Sequence, residues 1–200
     1  MNYLAHFYLS FGQENLVVGN LLGDFVRGNL HHPRNDAYSD AIKTGIQLHR
    51  HIDSFTDEHP VVRACRKQLR PQFGLYSGVV IDMYFDYFLA HRFAEFSPVP
   101  LRFFTTNIYT ILTQHRANLP PEAQLLVDSM LKYDWLTNYQ YAEGMRRSFA
   151  GMSRRFTFLK GIENADEELF ANEAQYLAFF QEFFPDLLTS CRQKVESAEG

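Results

Sequence analysis

The run Val79-Val80-Ile81-Asp82-Met83-Tyr84-Phe85-Asp86-Tyr87-Phe88-Leu89 is almost wholly apolar, and its two acids stand four residues apart. That spacing puts both carboxylates on one face of a helix, about 5–6 Å apart at Cβ. The positions three and four residues from either acid are Gly78, Val79, Met83, Phe85, Leu89 and Ala90, so no basic residue of the same helix neutralises them. A second stripe runs through Ile42 and Ile46 to His49 and Asp53, again a pair at i, i+4. Carboxylates on core-facing stripes are costly unless a cation pairs with them. A divalent metal is the economical reading.

Helical periodicity dominates the rest of the chain, and alternating strand patterns with tight hairpin signals are missing. The expected helices cover Asn2–Leu9, Asn15–Arg27, Ser39–Asp57 with Ser39 as N-cap, and Val61–Leu69 closed by Pro71. Next come Ser77–Ala94, Leu101–Asn118, Glu122–Lys132, Tyr139–Phe156 and Glu167–Phe184, with Pro185 setting apart a last short helix. No repeat or low-complexity linker interrupts the pattern. The expectation is one all-α domain over residues 1–200, and 46% hydrophobic content over 200 residues suits a full core.

A net charge of −4 gives no general attraction to nucleic acid or anionic membrane. Every long apolar run is broken by charge within about 18 residues, too short for a membrane span. The N-terminal segment lacks a basic n-region and a cleavage site. Cys65 and Cys191 lie far apart and read as reduced thiols. A cytoplasmic protein is expected.

Four elements could converge on a metal: His6, Asp24, the pair His49/Asp53 and the pair Asp82/Asp86. Imidazole nitrogens and carboxylate oxygens suit Mn²⁺, Fe²⁺, Mg²⁺ or Zn²⁺, and an oxygen-rich set favours the harder ions. Each element also has an ordinary reading: a core histidine for His6, an ion pair with Arg27 for Asp24, and an intrahelical hydrogen bond for His49/Asp53. His31, His32, His51, His91 and His115 read as solvated or off the stripe, and His59 as a cap or a supporting residue. Charge is uneven. Arg63, Arg66, Lys67 and Arg70 crowd one segment without an acid, as do Arg146, Arg147, Arg154, Arg155 and Lys160. Such clusters are either solvated faces or docking surfaces for an acidic or phosphate-bearing partner.

Four ordered motifs carry a resemblance. They are Asn2-Tyr3-Leu4-Ala5-His6, Gly19-Asn20-Leu21-Leu22-Gly23-Asp24-Phe25-Val26-Arg27-Gly28, Leu48-His49-Arg50-His51-Ile52-Asp53 continuing to Pro60, and Asp82-Met83-Tyr84-Phe85-Asp86 continuing to Ala90. Together they resemble the bacterial acyl carrier protein phosphodiesterases, which are similar to the helical HD metal-dependent phosphohydrolases. The resemblance implies an HD-type bundle using manganese, with Mg²⁺ or Fe²⁺ as alternatives. It implies hydrolysis of the phosphodiester joining 4′-phosphopantetheine to a serine of holo acyl carrier protein. His6, Asp24, His49, Asp53, Asp82 and Asp86 form the pool of metal ligands, with Asp24, Asp53 and Asp86 as catalytic acids. Arg50, Arg63, Arg66 and Lys67 are the expected substrate contacts. Two departures stand out: no adjacent His-Asp doublet occurs, and Tyr87 stands where the family pattern carries histidine. The rival expectations are a phosphohydrolase of small phosphodiesters or nucleotides, and a non-catalytic module that binds acyl carrier protein.

Overall fold

A computed structural model describes residues 1–155, 159 and 161–199, with only the backbone described at Glu199; Phe156 and Lys160 of the expected elements lie outside the described residues. The α-helices among them are α1 (Tyr3–Tyr8), α2 (Glu14–Leu22), α3 (Asp40–Glu58), α4 (Pro60–Phe73), α5 (Ser77–His91) and α6 (Leu101–His115). They continue with α7 (Pro121–Tyr133), α8 (Trp135–Asn138), α9 (Ala142–Arg155), α10 (Ala165–Ala171) and α11 (Glu173–Glu199). The class is all-α.

The centre of the molecule is α5, buried from Val80 to Ala90 except at Asp82. A helix apolar on every side must be surrounded, and α1, α4 and α11 pack on it. Tyr84, Phe85 and Phe88 meet Tyr176, Phe180 and Phe183 of α11 in an aromatic core.

Two prolines depart from expectation. Pro71 does not close α4, which runs on to Phe73 and ends at Gly74, whose φ of 55° supplies the left-handed turn. Nor does Pro185 end a helix: α11 passes through it. An internal proline costs about 3 kcal/mol. Phe183, Phe184, Leu187 and Cys191 flank it and are all fully buried. At roughly 1.5–3 kcal/mol per large apolar side chain, that burial outweighs the missing amide hydrogen. Burial also settles the cysteines: both are free thiols, pushed up to about 12 and so uncharged.

The pairing of α2 with α3 positions the site. Ser39 caps α3 as expected, its Oγ accepting the Ile42 amide at 3.3 Å. The two helices touch backbone to backbone where Gly19 meets Gly45; a Cβ on Gly45 would lie 2.8 Å from the Gly19 Cα. One turn further along both helices, Gly23 faces His49. Ahead of α2, Phe11 and Gly12 take φ of 50° and 75° and reverse the chain, laying α1 against α2.

Candidate functional site

His6 of α1 and His49 of α3 stack with ring centroids 4.3 Å apart, and both are buried. Their Nε2 atoms converge on one carboxylate. His6 Nε2 lies 3.3 Å from Asp53 Oδ1, and His49 Nε2 lies 3.1 Å from Asp53 Oδ2. Asp24, just beyond α2, brings Oδ1 to 3.6 Å from His49 Nε2. Its other oxygen accepts the Tyr3 hydroxyl at 2.9 Å. The imidazoles are almost sealed, at 4% and 7% side-chain exposure, while Asp24 and Asp53 are 44% and 50% exposed. The cluster therefore opens to solvent on its carboxylate side.

Behind the rings, the Nδ1 atoms face Asn20: His49 Nδ1 meets its backbone carbonyl at 2.8 Å, and His6 Nδ1 meets its side-chain oxygen at 3.2 Å. A carbonyl cannot donate, so His49 carries its hydrogen on Nδ1, and in the neutral ring Nε2 presents a lone pair.

The electrostatics follow from this crowding. Burial opposes the charged form of Asp53, but hydrogen bonds from the His49 and His6 rings in their protonated forms outweigh it and hold the carboxyl well below the usual carboxylate range. Burial and the neighbouring His49 lower His6. His49 is raised, because its contacts with Asp53 and the charge of Asp24 overcome its own burial. Burial and then Asp24 push the Tyr3 phenol well above its ordinary value, so it stays a donor.

The donor set fits a divalent cation. Two imidazole lone pairs aimed at carboxylate oxygens repel one another unless a proton or a metal lies between them. A shell of donors at about 2.1 Å from an ion separates neighbours by roughly 3.0–3.4 Å. The observed 3.1 and 3.3 Å spacings to Asp53 match those edges, and Asp24 at 3.6 Å lies just outside them. His6, His49 and Asp53 each offer an atom within 4.8 Å of the others, and thiolates are absent from the set.

Asp82 and Asp86 are not brought into this cluster. Asp86 is fully buried, and its two oxygens accept the amides of Asn2 at 3.1 Å, Leu4 at 2.7 Å and Ala5 at 3.4 Å. Those are the free N–H groups at the start of α1, where Asn2 itself provides no side-chain cap. Asp86 thus caps a helix across the fold, which leaves it no free oxygen for catalysis or a metal. Asp82 accepts from the Met1 amino group at 2.8 Å. The N-terminal segment supplies the positive partners that a metal was expected to supply. Tyr87 points elsewhere, donating to Glu173 at 2.7 Å.

The expected substrate contacts divide. Arg50 donates to the Val26 carbonyl at 2.9 Å and braces the segment that carries Asp24. The helix that precedes this segment ends at Leu22, five residues short of the expected Arg27, and Asp24 pairs with Tyr3 and His49 instead of Arg27. Arg66 pairs with Asp57 at 3.0 Å and lies over Gly78. Arg63, Lys67 and Arg70 are exposed on the same face of α4. On α9, Arg146 pairs with buried Asp166 at 3.1 Å and Arg147 with Glu143 at 3.5 Å. His59 contacts Asp186 at 3.3 Å, and His51 contacts Ser190 at 2.8 Å, both towards α11.

Tyr3, Asn20 and Gly23 escaped the sequence reading as site residues, although all three lie in its motifs. For Gly23 a signal existed, since the Gly19/Gly23 spacing of four marks a helix face built for close approach. A Cβ at position 23 would overlap the His49 ring. Gly23→Ala is therefore expected to keep the helical circular dichroism and to cut turnover on the order of 10²-fold, since a shift of about 1 Å in a catalytic group costs that much. Steady-state kinetics beside the spectrum check it.

A family model described as acyl carrier protein phosphodiesterase matches residues 1–187. The chain is similar to the "Acyl carrier protein phosphodiesterase" of Serratia proteamaculans, 32% identical over 195 residues, covering 97% of this chain and 99% of that one. The protein of the same name from Pectobacterium atrosepticum is 30% identical over 189 residues, covering 94% and 96%. No solved structure matches the chain.

Proposed function

The chain belongs to the acyl carrier protein phosphodiesterase family, and from that premise we propose that it hydrolyses holo acyl carrier protein to the apo form as a cytoplasmic, Mn²⁺-dependent enzyme. The observation that carries the reading is the convergence of His6, His49, Asp53 and Asp24 at an opening with metal-ligand spacing. His6, His49 and Asp53 would hold the ion, with Asp24 at its edge. A divalent ion held there would polarise a phosphoryl oxygen and lower the pKa of a bound water.

The chain's own residues account for the remaining steps. Water attacks phosphorus, the bond from phosphorus to the serine oxygen breaks, and the pantetheine side keeps the phosphate. The proton lost by water is taken by a carboxylate within reach of the opening. Asp24 suits that task, being half-exposed and oriented by Tyr3. The serine oxygen leaves with that proton, handed on from the carboxylate, giving apo carrier protein and 4′-phosphopantetheine. No helix among the described residues is long and apolar enough to cross a membrane.

The test is a mass measurement: holo acyl carrier protein incubated with the enzyme and Mn²⁺ should lose the phosphopantetheine mass, and chelation should stop the loss. Release from free phosphodiesters but not from the carrier would favour a small-molecule phosphohydrolase.

Docking gives a second check. Arg63, Lys67 and Arg70 fall at i, i+4 and i+7 on α4, and Leu75, 84% exposed, follows just past the end of that helix. A basic stripe next to an apolar knob complements an acidic partner. Arg63→Glu/Lys67→Glu is expected to raise KM for the carrier roughly tenfold at low salt, leave kcat nearly unchanged and flatten the salt dependence. A salt titration of kcat/KM identical to wild type would leave this face merely solvated.

A further inference from the structure

We infer that Asn20 is the positioning residue that fixes the ring of His6, and with it the direction of both Nε2 atoms of the metal site; the inference rests on the reading of that cluster as a metal site. The argument is a closed ring of hydrogen bonds. The Ser10 hydroxyl donates to the His6 carbonyl at 3.0 Å, so its oxygen has no second hydrogen to give. The Asn20 Nδ2 amide donates to that oxygen at 2.8 Å. This sets the amide orientation, and Asn20 Oδ1 is left facing His6 Nδ1 at 3.2 Å. An amide oxygen only accepts, so the Asn20 contact holds a hydrogen on His6 Nδ1 and leaves Nε2 to offer its lone pair to a metal beside Asp53. The ring thus begins and ends on His6.

The same residue offers its backbone carbonyl to His49 Nδ1. One residue therefore reaches both histidines, by its side chain to one and its main chain to the other. His6, Ser10, Asn20 and His49 are all buried, so water cannot replace a lost partner cheaply. Partners on the far side of a ligating imidazole fix its tautomer and aim, and losing one typically weakens metal binding about 10–100-fold. Asn20 sits between Gly19, which contacts α3, and the turn that leads through Gly23 to Asp24, so α2 delivers the clamp and the rim carboxylate together.

The tautomer can be read on metal-free protein at pH 8 from two-bond ¹H–¹⁵N histidine correlations, and Mn²⁺ affinity by titration calorimetry. Wild type is expected to show His6 and His49 with hydrogen on Nδ1. Asn20→Leu, which removes the acceptor for His6 and keeps the main-chain carbonyl for His49, is expected to lose the His6 preference alone. It should also weaken Mn²⁺ binding about 10–100-fold. Asn20→Asp, which keeps an oxygen facing His6, should restore the tautomer. If Asn20→Leu does not fold, Ser10→Ala frees the amide to turn and should weaken Mn²⁺ binding in the same direction. A wild-type His6 carrying hydrogen on Nε2, or wild-type Mn²⁺ affinity in Asn20→Leu, overturns the assignment. A His6 with hydrogen on Nδ1 in a wild type that binds no Mn²⁺ upholds the clamp and overturns the metal reading.

Discussion

Replacing Asp53 with alanine is expected to remove turnover and Mn²⁺ binding together while leaving the helical fold intact. Both imidazoles turn Nε2 towards Asp53, one to each oxygen, at 3.3 and 3.1 Å. Without it the two Nε2 atoms share no anionic partner, and a divalent ion loses the charge that offsets its dehydration. The rate loss should be on the order of 10³-fold or more, which is about 4 kcal/mol in the transition state. Stability should fall as well, because both buried imidazoles lose the carboxylate they face, but the half-exposed side chain keeps that loss small enough for the fold to persist. Kinetics and calorimetry on one preparation check this. A variant that turns over normally would remove Asp53 from the site.

Asp86→Ala is expected to act in the opposite way, on stability first. Its carboxylate accepts three amides at the start of α1, those of Leu4 and Ala5 buried and that of Asn2 partly so. Truncation orphans those donors and should cost about 3–5 kcal/mol, measured by denaturant unfolding. Burial pushes Asp86 up to about 7, against the opposing pull of the Met1 amino group and the Leu4, Asn2 and Ala5 amides. The unfolded chain releases this proton near pH 4. Between roughly pH 4 and 7 the native state binds the extra proton, so this group's contribution makes stability fall as pH rises across that window and level off above it. Asp86→Asn should remove that slope. A slope unchanged in the variant would assign it to other groups. Because α1 carries His6, activity in both variants should follow the fraction folded.

Much of the site was legible along the chain, and what was hidden is hidden for a physical reason. His49 and Asp53 belong to one helix, so their shared face follows from a period of 3.6 residues. Asp82 and Asp86 gave a local signal of the same strength. Their partners, however, are Met1 and the first amides of α1, more than eighty residues away, and no helical period reports them. A buried acid announces that a partner is needed without saying whether it is a metal or a main chain. Pro185 misled similarly, since a local rule for ending helices yields to the packing of Phe183, Phe184 and Leu187. Tyr3 meets Asp24, and Asn20 meets His6 and His49, all on other elements of the chain, and residue type alone does not reveal such placements.

The most direct test of where the metal binds is a crystal of the protein grown with Mn²⁺ and measured at a wavelength where manganese scatters anomalously. The account predicts an anomalous peak within about 2.0–2.3 Å of His6 Nε2, His49 Nε2 and an Asp53 oxygen, with Asp24 at its edge. A peak held instead by Asp82 and Asp86, with the imidazoles bare, would contradict it.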